Sequence, residues 1–367
     1  MEKNIKIEDV DVNMKARQTN DEFVFYNPLK CKKLVVEGLP FFSKENNYYR
    51  VPKNYKDKVT DAVFWLAGMP SGGQIRFKTN SKKIIVRLKN FGDYQMCHMA
   101  STGQQGVDLY YRVKGEKEYK FFTCSKFPFP SIDIKDTLFD ADNKQDKEII
   151  INLPLYEGLE SIEIGIEQDA YLKKPKKHKK EGRVVVYGTS VTQGGCASRP
   201  GMSWTNILSR KLDVEFVNLG FSGSGLGEKE LAELITTIDN VSLLVLDYEA
   251  NGGATGDMEH NLEQFIDILR SKFKEVPLVV VSKHIFAVDI YKEKDMERRR
   301  FYYHFQKDMV DKKKSQGDNN IYFIDGSLLY GKKDIFEMTV DGLHPTDLGF
   351  YMIAKYLEPI FRKLLKK

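Results

Sequence analysis

The hydrophobic pattern of the chain changes period once, at a lysine-rich stretch near residue 175, and this change constrains the fold more than any other feature. Before it, β-branched and aromatic residues gather in short runs at 75–78, 84–88, 107–113, 119–123, 148–153 and 161–166. Gly, Asn, Asp and Pro lie between the runs, and no long helical pattern intervenes. An antiparallel β-sandwich or jelly roll is expected there. After the stretch, continuous apolar runs recur at 184–187, 216–219, 243–246, 278–281 and 321–324. Between them Met258, Leu262, Phe265, Ile266, Leu269 and Phe273 share one helical face, and a final helix at about 347–365 carries Ile353, Tyr356, Leu357, Ile360, Phe361 and Leu364. Continuous apolar strands separated by amphipathic helices imply a parallel sheet covered on both faces, an α/β domain.

The expected organisation is an N-terminal arm at 1–21, a β-sandwich at 22–172, a basic linker at 173–182 and an α/β domain at 183–367. A chain of 367 residues has room for two such domains. The linker holds Lys173, Lys174, Lys176, Lys177, Lys179 and Lys180, interrupted by Pro175 and His178. Such a block can be a nucleic-acid patch, but the overall charge is only +5, and a solvated linker with no nucleic-acid partner is expected. No apolar run approaches the roughly 18–20 residues that span a bilayer, so no membrane insertion is expected. The first residues, Met1-Glu2-Lys3-Asn4-Ile5, carry no apolar signal segment. That favours a cytoplasmic protein, or a secreted or periplasmic one if a leader has been removed. Cys31, Cys97, Cys124 and Cys196 form no CxxC pair, and no Cys/His set has zinc spacing, so free thiols and no metal are expected. Whether Cys97 and Cys124 pair is open at this level.

In open α/β sheets ligands bind beyond the carboxyl ends of the strands. The first strand of this half exits into Gly188-Thr189-Ser190, the second into a segment ending Ser222-Gly223, the third into Asp247-Tyr248-Glu249-Ala250-Asn251, and Asp341-Gly342-Leu343-His344-Pro345 precedes the last helix. These parts suit acyl transfer. A serine hydroxyl needs a base within reach, which His344 can supply, and the imidazole needs a partner to fix its tautomer, which Asp341 can supply three residues away. Backbone N–H groups of Ser190 and Gly223 and the side-chain amide of Asn251 could receive an oxyanion. Gln193 and Arg199, shortly after the serine, could contact substrate. His284 is expected to be a structurally bonded histidine and Trp204 a core residue at a helix start, while Cys196 has no adjacent histidine in sequence and is not read as a nucleophile. His98, His260 and His304 look incidental.

Taken jointly, Gly188-Thr189-Ser190, Gly223, Asn251 and Asp341-x-x-His344 resemble the four blocks of the SGNH/GDSL hydrolase superfamily of esterases. Gly106-Val107-Asp108-Leu109-Tyr110 resembles the GxDLY signature of β-rich domains that precede some of these enzymes. The resemblance implies a flavodoxin-like three-layer αβα hydrolase domain behind a jelly-roll or sandwich domain. It also implies Ser190 as nucleophile, His344 as base, Asp341 as its orienting partner, and Ser190, Gly223 and Asn251 as the oxyanion hole. Thr189 and Gly252 depart from the Asp that the family often places at each of these two positions.

The expected activity is a serine esterase acting on short-acyl, above all acetyl, esters of carbohydrate, with no cofactor. The alternatives are a longer-chain acyl hydrolase (lipase, lysophospholipase or thioesterase) and a catalytically inert carbohydrate-binding protein.

Overall fold

The computed structural model describes residues 10–11, 22–92 and 94–366; apart from Val10 and Asp11, the arm expected at 1–21 lies outside the described residues. The first half contains β1 (Phe23–Tyr26), β2 (Val35–Glu37), β3 (Gln74–Thr79), β4 (Lys83–Asn90), β5 (Asp108–Val113), β6 (Lys120–Cys124), β7 (Asp133–Asp140), β8 (Lys147–Asn152), β9 (Leu159–Glu167) and β10 (Leu172–Lys173). They form two antiparallel sheets, ordered β1-β9-β4-β7 and β10-β3-β8-β5-β6, with β2 added to β3. Period-2 alternation explains the layer between the sheets. Ile84, Val86 and Leu88 of β4 and Ile162, Ile164 and Ile166 of β9 meet Ile75, Phe77, Ile149 and Ile151 there, while Arg87 and Lys89 face water.

The second half contains β11 (Arg183–Gly188), β12 (Glu215–Gly220), β13 (Val241–Asp247), β14 (Leu278–Val281) and β15 (Ile321–Ile324), all parallel, in the order β12-β11-β13-β14-β15. The chain passes to one side of β11 for β12 and to the other for β13. The crevice at their carboxyl ends is therefore the switch point where α/β sheets bind ligands. The final helix, Asp347–Leu364, is capped by Thr346, whose hydroxyl accepts from the Gly349 N–H, and carries Arg362 and Lys363 in its last turn. No helix among the described residues is long and apolar enough to cross a membrane.

The core does not stop at the linker. Val63, Leu66 and Ala67 of the helix Asp61–Ala67, with Met69, Leu155 and Tyr156, belong to the same buried cluster as the strands β11 to β15. That short helix falls within a stretch read from sequence as strands alone. Polar contacts fasten the halves as well. Asp108, fully buried, accepts from Asn152 (2.6 Å), from the Gly201 N–H (2.8 Å) and from Arg199 (2.9 Å). The Tyr110 hydroxyl accepts from Arg199 (2.6 Å) and Arg210 (3.1 Å). Gly201 must be glycine, since a Cβ there would lie 2.5 Å from the Tyr110 ring and 2.6 Å from Asp108. Arg50, fully buried, crosses the other way and donates to the carbonyls of Gly220 (2.6 Å) and Asn218 (3.2 Å).

The linker expected to be solvated is anchored at several points: Lys173 of β10 pairs with Lys78 of β3, the Lys176 carbonyl accepts from Arg76 (3.1 Å), and the Lys180 N–H bonds the Asp213 carbonyl (3.2 Å). His178 bonds Glu37 (2.7 Å) and Asp213 (2.9 Å), and Glu37 also pairs with Arg76 at 2.8 Å. Burial would lower the His178 pKa, but the two carboxylates hold it above the ordinary imidazole value.

Candidate active site

Beyond β11, Thr189 turns the chain and Ser190 opens the four-residue helix Ser190–Gln193, closed by Gly194 at φ +113°. The turn is tight enough that a Cβ on Gly188 would lie 2.1 Å from the Thr192 hydroxyl and 2.6 Å from the Asp247 carbonyl. Thr192 donates to Asp247 at the end of β13 (2.9 Å), tying the serine helix to the sheet. Ser190 is only 5% exposed.

The Ser190 Oγ lies 3.0 Å from His344 Nε2, and His344 Nδ1 lies 2.7 Å from Asp341 Oδ2. The other Asp341 oxygen accepts the backbone N–H groups of His344 (2.7 Å) and Leu343 (3.0 Å). Burial alone would raise the Asp341 pKa, but the His344 ring and these two N–H groups hold it down at about 2. A carboxylate ionised at neutral pH keeps the imidazole proton on Nδ1 and leaves the Nε2 lone pair facing the serine.

The turn that carries His344 is fixed from three sides. Val340 N–H bonds the His344 carbonyl (2.8 Å), Gly342 takes φ +87°, and His284 Nε2 donates to the Leu343 carbonyl (2.8 Å). Burial lowers the His284 pKa to about 4, so it is the neutral, structurally bonded ring expected from sequence. Asp347, at the start of the last helix, accepts from the Ser198 N–H (2.9 Å) and so joins this turn to the loop after the serine. Trp204 is buried at the first position of the helix Trp204–Leu212, as expected.

The loop after β12 wraps the same corner. Phe221 N–H bonds the Gly188 carbonyl (2.9 Å), Ser222 N–H bonds the Gln193 side chain (3.0 Å), and Gly225 N–H bonds Asn251 Oδ1 (3.3 Å). Gly223 sits in this loop at φ +67°, with no heavy atom within 4 Å of where a Cβ would stand. Its N–H, the Ser190 N–H and the Asn251 Nδ2 make no hydrogen bond to the described residues. These donors lie in the loop, turn and helix that meet around Ser190.

Gln193 and Arg199, read as possible substrate contacts, are both engaged by protein groups. The Gln193 amide is fully buried and spans the Leu155 carbonyl (3.1 Å) and the Ser222 N–H, so it positions the Gly223 loop. Arg199 is spent on Asp108 and Tyr110, with its guanidinium 3.7 Å from the Phe121 ring centroid. Sequence reasoning missed two residues from the first half. The Tyr156 hydroxyl donates to the Ser190 carbonyl (3.3 Å). His98, read as incidental, packs edge-on against His344 with ring centroids 5.6 Å apart, and its Nε2 lies 4.0 Å from Asp341. Only the fold could reveal either, since neither lies near a reactive residue in sequence.

Comparison with known proteins agrees with this architecture. The family model for GDSL-like lipases/acylhydrolases matches residues 181–362, and that for the GxDLY N-terminus of SGNH-hydrolase-type esterases matches 23–172. The crystal structure of a protein assigned as a GDSL-like lipase from Bacteroides ovatus is similar at 30% identity and TM-score 0.84, covering 94% of this chain and 98% of that one. The salicylyl-acyltransferase of a tetracycline biosynthetic pathway shares the fold at 18% identity and TM-score 0.75, with the same coverage. A family two carbohydrate esterase from Cellvibrio japonicus shares it at 12% identity and TM-score 0.57, again over 94% and 98%. No curated protein matches. The chain belongs to the GDSL-like lipase/acylhydrolase family and is a serine hydrolase of the SGNH esterase type with a GxDLY N-terminal domain.

Proposed function

We propose that the protein hydrolyses short-acyl esters, most readily acetyl groups carried on carbohydrate, through an acyl-enzyme on Ser190. The observation that carries this reading is the unbroken run from the Ser190 Oγ to His344 at 3.0 Å and on to Asp341 at 2.7 Å. His344 Nε2 takes the serine proton as Oγ attacks the ester carbonyl. Asp341 stabilises the imidazolium that forms, and the same proton passes to the leaving alcohol. Water then attacks the acyl-enzyme by the reverse relay. The oxyanion is received by the N–H groups of Ser190 and Gly223 and the amide of Asn251. These steps call only on protein groups, the ester and water. The preference for sugar esters draws on the carbohydrate esterases that share both halves of the fold. The first half, read as a jelly-roll-type sandwich domain, borders the site through Tyr156 and His98.

The test is release of acid from acetyl, butyryl and longer aryl esters and from acetylated sugars, with Ser190→Ala alongside. Acetate release that disappears in the variant is expected; equal turnover in the variant overturns the assignment. A second reading, acyl transfer to an alcohol other than water, is favoured by the higher TM-score of the salicylyl-acyltransferase. It predicts that added acceptor alcohols divert the acyl group from water, and dominance of butyryl or longer esters would instead point to a lipid-type acyl group.

A further inference from the structure

His98, Cys196 and His344 are separated by about a hundred residues or more in sequence, yet one ring nitrogen of each histidine and the Cys196 sulfur all lie within 4.8 Å of one another. Two imidazoles and a thiol are the donor set that zinc and similar soft ions take in proteins. At bond lengths of about 2.0–2.3 Å a tetrahedral ion needs its donors roughly 3.3–3.6 Å apart, so the three must close by about 1 Å. His98 can supply that movement. A third of its side chain is exposed, and it sits on a turn held at its base by Gln104, which bonds the Tyr94 carbonyl (2.6 Å) and the Met96 N–H (3.0 Å). Cys196 is buried, with no hydrogen-bond partner among the described residues.

The fourth residue of the cluster strengthens the case. A histidine bound to metal through one nitrogen ordinarily donates its other N–H to a carboxylate, which fixes the ring and raises its basicity. His344 already does this through Nδ1 to Asp341 at 2.7 Å. The nitrogen left for a metal is Nε2, the same lone pair that faces Ser190. An ion bound there leaves the serine without its base.

We propose that His98, Cys196 and His344 form a binding site for a thiophilic divalent cation, Zn²⁺ or its like, whose occupancy reversibly silences the esterase. Binding forms two N–metal bonds to neutral imidazoles and one S–metal bond, releases one proton from the Cys196 thiol, and leaves a fourth position for water. The ion displaces the thiol proton on binding, because the thiolate is the form that ligates metal. The β half of the chain supplies one of the three ligands, so the site exists only when both halves are docked. The silencing rests on the proposed roles of Ser190 and His344; the binding does not.

Two readouts test this. The first is the thiolate-to-cobalt charge-transfer absorption on adding Co²⁺ to the chelator-treated full-length protein. The second is ester hydrolysis titrated with Zn²⁺, with Mg²⁺ as the control and EDTA for reversal. One equivalent of Co²⁺ should raise the band, and Cys196→Ser should abolish it. Loss of an outer-shell partner alone weakens metal sites by about 10–100-fold, so Cys196→Ser and His98→Gln should each raise the half-inhibitory zinc concentration by at least about tenfold, while both remain active in EDTA. His98→Gln, on a partly exposed turn, keeps the test valid if Cys196→Ser fails to fold. Absence of the band, a band that survives Cys196→Ser, or zinc inhibition unchanged in His98→Gln overturns the proposal. A cobalt band in a protein that hydrolyses no ester would leave the metal site standing and remove the esterase reading instead.

Discussion

On the parallel-sheet side of the rim, Ser190, Gly223, Asn251, Asp341 and His344 all stand on loops or helix starts beyond the strands. On the antiparallel side, the residues that reach the same rim are mostly buried: Arg50 under the Asn218 and Gly220 carbonyls, Tyr156 under the Ser190 carbonyl, and Gln104 behind the segment that carries His98. Loops let reactive groups from distant strands converge, but a loop's own backbone fixes position poorly. Here bonds within the hydrolase half, such as His284 to the Leu343 carbonyl and Thr192 to Asp247, are joined by side chains from the other half whose polar atoms would be costly to leave unpaired. The placement of the candidate site residues thus draws on both halves of the chain and not on the hydrolase half alone.

Four substitutions press on this division of labour, from the largest effect to the smallest. Ser190→Ala should lower kcat by at least about 10⁴-fold with an unchanged unfolding midpoint, measured by ester turnover beside thermal melts. Asp108→Ala touches no reactive group, yet it strands Arg199 and the Gly201 N–H. It should cost about 3–5 kcal/mol in denaturant unfolding and lower kcat only through the disturbed loop. If its stability is unchanged, the fastening role is wrong. Asn251→Ala should reduce kcat about 10²–10³-fold with little change in KM; a change in KM alone would remove it from the oxyanion hole.

His178→Gln should be the mildest. The His178 pKa is raised on folding, so its contribution is complete below the ordinary imidazole value and fades as pH rises through the raised one. Glu37 and Asp213 are lowered on folding, despite burial, by the His178 ring and nearby arginines. Their contribution fades as pH falls through those lowered values. The stability gap between wild type and His178→Gln should therefore be widest, about 2 kcal/mol, near pH 5–6, and shrink toward alkaline pH. A gap independent of pH would mean that the histidine serves only as packing.

How much of this could be read in advance differs between the halves. The five apolar runs after residue 183 all lie within β11 to β15, because a strand buried on both faces leaves an unmistakable continuous signal. In the first half, β1, β2, β7 and β10 escaped notice. β2 and β10 are three and two residues long, β1 lies at a sheet edge, and β7 carries Asp133, Lys135, Asp136 and Asp140 among its apolar residues. The 23-residue helix Glu293–Ser315 was equally hidden, since only Tyr302, Gln306, Val310 and Lys313 are buried along it. At the candidate site, Ser190, Asp341 and His344 could be picked out because short motifs hold them at strand exits, and the structure brings the three together. The protein partners of Gln193 and Arg199 could not be read in advance, because proximity in sequence to Ser190 says nothing about which side of the backbone a side chain leaves. His98 and Tyr156 were invisible because their partners lie 246 and 34 residues away.

The Asp108 fastener has a consequence for how such proteins can be recombined. Asn152, on the Asp108 side of the linker, and Arg199 and Gly201, across it, all converge on one carboxylate. A chimera cut at the linker inherits half of a lock. Grafting a foreign β domain onto this hydrolase half should yield a stable enzyme only when the incoming piece brings an acid and a tyrosine placed to meet Arg199 and the Gly201 N–H. The two halves are therefore modular in outline but must be exchanged with their shared contacts matched.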